Sequence, residues 1–114
     1  MNQLQVTARL KIHEGKLDEF KQLAAQCLMT VKEMDQDTLQ YDWFFNKEQT
    51  ECVVRERYTD SNAIFAHLAN LGELFGKILA VSDFSVEVFG EPSQELINAT
   101  KNLNPKIYSF YQGL

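Results

Sequence analysis

His67 is the side chain in this sequence best suited to proton-transfer chemistry, because an imidazole titrates near neutrality without special tuning. It follows Arg55-Glu56-Arg57-Tyr58-Thr59-Asp60-Ser61, where a strand pattern gives way to a helix cap. Val53, Arg55 and Arg57 alternate with Val54, Glu56 and Tyr58, a mixture that suits a pleated surface wet on one side. Asp60 or Ser61 then accepts free amide hydrogens of the next helix. His67 falls on the second turn of that helix, close to the end of the strand that feeds it. Stepping about 100° per residue, it lies roughly 70° from the centre of the stripe made by Ile64, Leu68, Leu71 and Phe75. A histidine on such a flank is more often a hydrogen-bonded structural residue than a catalyst. Asn70 points away from the stripe and reads as solvated.

The elements that must hold this corner are visible as changes of period. Leu4, Val6, Ala8, Leu10 and Ile12 alternate with Gln5, Thr7, Arg9 and Lys11, which predicts a strand with one buried face. Gly15 breaks that pattern. From Lys16 to Met34 the apolar positions Leu17, Phe20, Leu23, Ala24, Cys27, Leu28, Val31 and Met34 step by three and four, the stripe of a long helix. After the polar turn Asp35-Gln36-Asp37, Leu39, Tyr41, Trp43 and Phe45 form one face of a second strand. Asn46 to Thr50 then returns the chain antiparallel into Glu51–Tyr58. Gly72 and Gly76 weaken the helix after Asp60, so a split or kink is expected there. Phe84, Val86 and Val88 mark a fourth strand.

The order β-α-β-β-α-β predicts an α+β, ferredoxin-like fold, with two helices on one face of a four-stranded antiparallel sheet. Phe44 and Phe89 stand out of phase with the main apolar sets, so the uncovered face also carries apolar side chains. A second copy of the same sheet is the simplest cover, predicting a homodimer through the sheet faces. Residues 1–90 make this domain. Residues 91–114 add a short helix capped by Ser93 and the aromatic arm Ile107-Tyr108-Ser109-Phe110-Tyr111, expected to dock on its own sheet or on a dimer mate.

Composition narrows the partners. With 45% apolar residues, 24% charged residues and a net charge of −5, the chain matches an ordinary globular domain and argues against nucleic acid or an anionic membrane. The N-terminus lacks a basic, apolar leader pattern, which makes the cytoplasm the expected compartment. Cys27 and Cys52 read as small core residues. No metal-ligand spacing surrounds His13 or His67.

With Tyr41-Asp42-Trp43, Glu56-Arg57-Tyr58-Thr59-Asp60, Ala63 and Phe65-Ala66-His67-Leu68, the sequence resembles the antibiotic biosynthesis monooxygenase family of dimeric α+β barrels over about Leu4 to Gly90. The resemblance implies catalysis without metal or flavin: an electron-rich phenol, quinol or anthrone loses a proton, and its anion reduces O2 directly. It further implies His67 as the base and a small aromatic substrate contacted by Tyr41, Trp43, Phe45, Arg55, Tyr58 and Phe65, with Arg55 or Arg57 beside the phenolate. A non-catalytic binding or dimerisation module of the same fold is the alternative. Two departures matter. Glu73-Leu74-Phe75 stands where many relatives have a second histidine, and Ala8 and Tyr58 replace the asparagine and tryptophan of haem-degrading members.

Overall fold

The computed structural model describes residues 3–114, so the leader reading at Met1 and Asn2 lies outside the described residues. In chain order the elements are β1 (Leu4–Ile12), α1 (Leu17–Met34), β2 (Thr38–Phe45), β3 (Glu51–Tyr58), α2 (Ser61–Leu71), α3 (Glu73–Ala80), β4 (Ser82–Phe89), α4 (Gln94–Ala99) and β5 (Lys106–Tyr108), with a 3₁₀ turn at Lys101–Leu103. The sheet order is β2-β3-β1-β4-β5. Its first four strands pair antiparallel, as the ferredoxin-like reading requires. The aromatic arm adds a fifth strand, parallel to β4, through Val88 opposite Ile107 and Phe89 opposite Tyr108. The sheet is therefore mixed and one strand wider than expected, because the arm docks on its own chain.

Strand register sorts the side chains into two faces, since residues directly opposite one another across a ladder point the same way. Leu4, Val6, Ala8 and Leu10 of β1 stand opposite Tyr58, Glu56, Val54 and Cys52 of β3. Val88, Val86 and Phe84 of β4 complete that face on the other flank, and Tyr41, Trp43 and Phe45 of β2 on the near one. All three helical segments of the main domain cover this side. Phe20, Leu23, Cys27 and Val31 of α1 pack there with Leu71 and Ile78 around Ala8, Leu10, Cys52 and Val54. A second cluster joins Leu4, Val6, Tyr58, Ala63 and Ile64 to Leu96 of α4. Through Leu96 the C-terminal segment thus joins the core, while Lys106–Tyr108 and the residues after them stay exposed.

Three local features depart from simple periodicity. A bulge between Thr38 and Gln40 shifts the β2 register, turning Leu39 outward at 45% exposure instead of setting it in line with Tyr41. The helix after Asp60 breaks once, at Gly72, whose φ of +52° and ψ of −126° no L side chain adopts easily. The two pieces meet at 77°, while Gly76 stays inside α3. The stripe on α1 is also incomplete as core, because Leu28 and Met34 are exposed.

Candidate active site

The cap that starts α2 decides where His67 goes. Asp60 accepts a hydrogen bond from the Ala63 amide at 2.9 Å, which leaves Ser61 free to accept from the Ser93 amide at 2.8 Å and tie the C-terminal segment to the same corner. With the helix started at Ser61, His67 turns inward and is 5% exposed. Its ring lies 5.0 Å from that of Tyr41 and 5.3 Å from that of Tyr58, centroid to centroid. Burial has drawn the flank histidine into the structure.

What stabilises a buried imidazole here is Asp35, at the C-terminal end of α1. Its side chain is 3% exposed and accepts from His67 Nδ1 at 2.8 Å and Thr38 Oγ1 at 2.6 Å on one oxygen, and from Asn70 Nδ2 at 2.8 Å on the other. Burial by itself would raise the Asp35 pKa; the donors from Asn70, Thr38 and His67 outweigh it and hold the carboxyl below its ordinary range. Burial likewise lowers the His67 pKa, against the opposing pull of Asp35. At neutral pH the pair is a carboxylate and a neutral imidazole. Because a carboxylate only accepts, the ring proton is assigned to Nδ1 and Nε2 is left as the basic nitrogen. Asn70 is therefore not solvated: at one turn from His67 it shares the same helix face and the same carboxylate.

A second polar pair sits on β3. Tyr58, 1% exposed, donates its hydroxyl hydrogen to Glu56 Oε1, two residues away on the same face of the strand. Glu56 retains some surface, yet protein surrounds it, since what it faces is a cavity. Desolvation pushes its pKa up to about 7, against the lowering effect of the Tyr58 hydrogen bond and with a small contribution from the Asp35 charge. Burial and the neighbouring carboxylate also raise the phenol of Tyr58, so it stays protonated as the donor.

These groups open onto one apolar cavity of about 100 Å³, between the sheet and the helices. Tyr41, Trp43, Glu56, Tyr58 and His67 form its polar wall; Leu96, Thr100, Leu103 and Pro105 close it from the C-terminal side. That volume lies below the roughly 300–1,000 Å³ of pockets that take drug-sized ligands. It suits a single-ring molecule. The buried Trp43 indole N–H meets no acceptor in full hydrogen-bond geometry; the Tyr41 hydroxyl beside it is near enough that a Trp43 hydrogen bond partly opposes the rise that burial gives the Tyr41 phenol. Cys27 also lines the cavity, where burial pushes its thiol up to about 11 and keeps it un-ionised. Among the described residues, no three His, Cys, Asp or Glu side chains are grouped to hold a metal ion.

Of the residues singled out from sequence, Tyr41, Trp43, Tyr58 and His67 come together. Phe45 packs edge-on against Phe20, at 6.1 Å between ring centroids, beyond the cavity wall. Phe65 packs on the second core cluster. Arg55 lies on the opposite face of the sheet, in register with Thr7 and Asp42, and Arg57 is exposed on that face as well; neither reaches the cavity. Sequence reading missed Asp35, which looked like part of a turn, and gave Glu56 no chemical role. A signal for Glu56 existed, because it alternates in phase with Val54 and Tyr58. No local pattern marks Asp35, which meets His67 only through the fold.

The fold and site define a class: a ferredoxin-like α+β domain with an apolar cavity between sheet and helices, and on its wall a histidine backed by a buried carboxylate. The chain belongs to the antibiotic biosynthesis monooxygenase family, whose model matches residues 4–72. Among solved structures, MupZ from Pseudomonas fluorescens is similar with a TM-score of 0.87 at 22% identity, over 100% of this chain and 94% of its own. The cofactor-independent oxygenase SnoaB from Streptomyces nogalater gives 0.68 at 16% identity, over 82% and 97%. Rv0793 from Mycobacterium tuberculosis gives 0.71 at 15% identity, over 82% and 98%. At such identities the likeness concerns the fold. No curated protein sequence matches the chain.

Proposed function

We propose that this protein is a cofactor-independent monooxygenase acting on a small aromatic, quinol-type compound, with His67 as the base. The observation that carries the reading is His67 on the wall of an apolar cavity, its Nδ1 bonded to Asp35 and its Nε2 free to accept a proton. A phenolic substrate lying between the Tyr41, Trp43 and Tyr58 rings loses its O–H proton to Nε2, and Asp35 stabilises the resulting imidazolium. The electron-rich anion adds O2 at a ring carbon, forming a hydroperoxide that loses water to leave a carbonyl. One oxygen atom ends in the product and the other in water, and the substrate supplies the electrons. Family membership and the SnoaB-like fold support this chemistry.

The partner of the exposed sheet face is, on the same proposal, a second copy of the chain. Phe44, Phe89 and Tyr108 are 54%, 38% and 47% exposed, and Phe89 and Tyr108 stack at 5.3 Å, a flat aromatic patch that an isolated domain leaves in water.

Oxygen uptake by pure protein with single-ring hydroquinones tests the reading. Uptake above the buffer rate, reduced about 10²-fold or more in His67→Ala, is the expected result; an unchanged rate in that variant removes His67 as the base. The small cavity favours one other reading, a binding or dimerisation module. A ligand-dependent rise in melting temperature without turnover would select it.

A further inference from the structure

We propose that the same cavity carries a second, oxygen-independent activity: enolisation and double-bond isomerisation of a small cyclic ketone, with Glu56 and Trp43 donating hydrogen bonds to its carbonyl oxygen and His67 moving the proton. It shares His67 with the monooxygenase reading but needs neither O2 nor a phenol.

The oxygenation leaves part of the cavity wall unused. Deprotonating a phenol requires one base, and His67–Asp35 provides it. The cavity wall nonetheless holds a carboxyl group, Glu56, that its apolar surroundings keep protonated up to about pH 7, against the Tyr58 hydrogen bond, which by itself favours the anion. Tyr58 donates to Oε1, which leaves the acid proton of Glu56 on Oε2 as a donor. A carboxylic acid kept neutral by an apolar site is a strong hydrogen-bond donor to an enolate, where negative charge grows on oxygen. The Trp43 N–H is the second donor, buried and with no acceptor in full bonding geometry; a buried donor so poorly paired gains free energy when a better acceptor arrives. Trp43 stands opposite Val54 in the β2–β3 ladder and Glu56 stands opposite Tyr41, so the two donors are diagonal neighbours on adjacent strands, facing the same hollow. His67 faces that hollow from α2.

The step balances without a co-reactant. His67 Nε2 takes a proton from the carbon between the carbonyl and the alkene; the C–H electron pair moves into a dienolate whose oxygen is held by Glu56 O–H and Trp43 N–H. The imidazolium then returns a proton to the far alkene carbon, leaving the conjugated ketone. Tyr58 acts as a positioning residue, fixing which oxygen of Glu56 carries the proton.

The test follows 3-cyclohexen-1-one converting to 2-cyclohexen-1-one under argon, by absorbance. Wild-type protein is expected to exceed the buffer rate at least tenfold, His67→Ala to fall to the buffer rate, Glu56→Gln to lose about tenfold and Trp43→Phe severalfold. The pH profile separates a chemical role from a structural one. The groups facing Glu56 are Tyr58 on its own strand, Tyr41 on β2, His67 on α2 and Asp35 at the end of α1, while β1 contributes the uncharged Val6. Wild-type rate should decline as pH rises through about 7, where Glu56 ionises, and the Glu56→Gln variant should lack that decline. No acceleration by wild type, or an alkaline decline that persists in Glu56→Gln, overturns the proposal. Because the assay excludes O2, its failure leaves the oxygen-uptake result standing, and a failed uptake assay leaves isomerisation standing.

Discussion

Glu56 and His67 load the fold with opposite pH dependences, and the sign of each follows from its environment. The Glu56 pKa rises from 4.5 to about 7 on folding. Between those values the folded chain holds a proton that the unfolded chain has released, so this contribution is complete below about 4.5 and declines as pH rises to about 7. At ~1.4 kcal/mol per pH unit the loss is of order 3 kcal/mol. His67 and Asp35 are both depressed, so their contributions are present at neutral pH and are lost on acidification, the histidine's below about its ordinary 6.5 and the aspartate's below about its ordinary 3.8. Glutamine mimics the neutral acid and still accepts from Tyr58. Glu56→Gln is therefore expected to match wild type near pH 5 and to exceed it by roughly 2–3 kcal/mol at pH 9, read from thermal or urea unfolding at both pH values.

At the scale of elements, the break between α2 and α3 aims the site. A straight continuation would carry the apolar stripe past the sheet, whereas the bend lets Ile78 reach the core beside Leu71. Gly72 makes the bend possible through its positive φ, and the space around it is open enough that an added Cβ would meet only Ala69 O, at 3.7 Å. Strain rather than collision sets the cost, so Gly72→Ala should destabilise by about 1–3 kcal/mol. Gly76 offers the contrast. It is exposed within α3, with nothing within 4 Å of the place a methyl group would take, and Gly76→Ala should stabilise by about 0.5–1 kcal/mol. Denaturant midpoints of the two variants check the opposite signs.

The whole molecule is asymmetric: one sheet face is sealed by helices, and the other presents Phe44, Phe89 and Tyr108 among Arg9, Arg55 and Glu87. A dimer through that face would scatter light as a particle of about 26 kDa, twice the 13.2 kDa chain. Phe44→Glu, at a position already exposed in the single chain, should return the mass to that of one chain without loss of fold, as seen by circular dichroism. The C-terminal segment does different work on the sealed side. Leu96 is 4% exposed in the second core cluster, and with Thr100, Leu103 and Pro105 it closes the cavity whose polar wall is far away in sequence.

The sequence by itself determined the first four strands, the long first helix, a cap at Asp60 or Ser61 and the order β-α-β-β-α-β, because periods of two or of three to four, or a capping side chain, are written within a short window. Family likeness pointed to a pocket of Tyr41, Trp43, Phe45, Arg55, Tyr58, Phe65 and His67, and of these the fold brings only Tyr41, Trp43, Tyr58 and His67 onto one cavity. Only the tertiary structure decided that Asp35 orients His67, that Asn70 joins them and that Glu56 is a buried acid. Those facts depend on which elements meet and on how much water the meeting excludes. Local periodicity records which face a side chain takes, but a pKa and a partner across the fold are set by packing between segments distant in the chain.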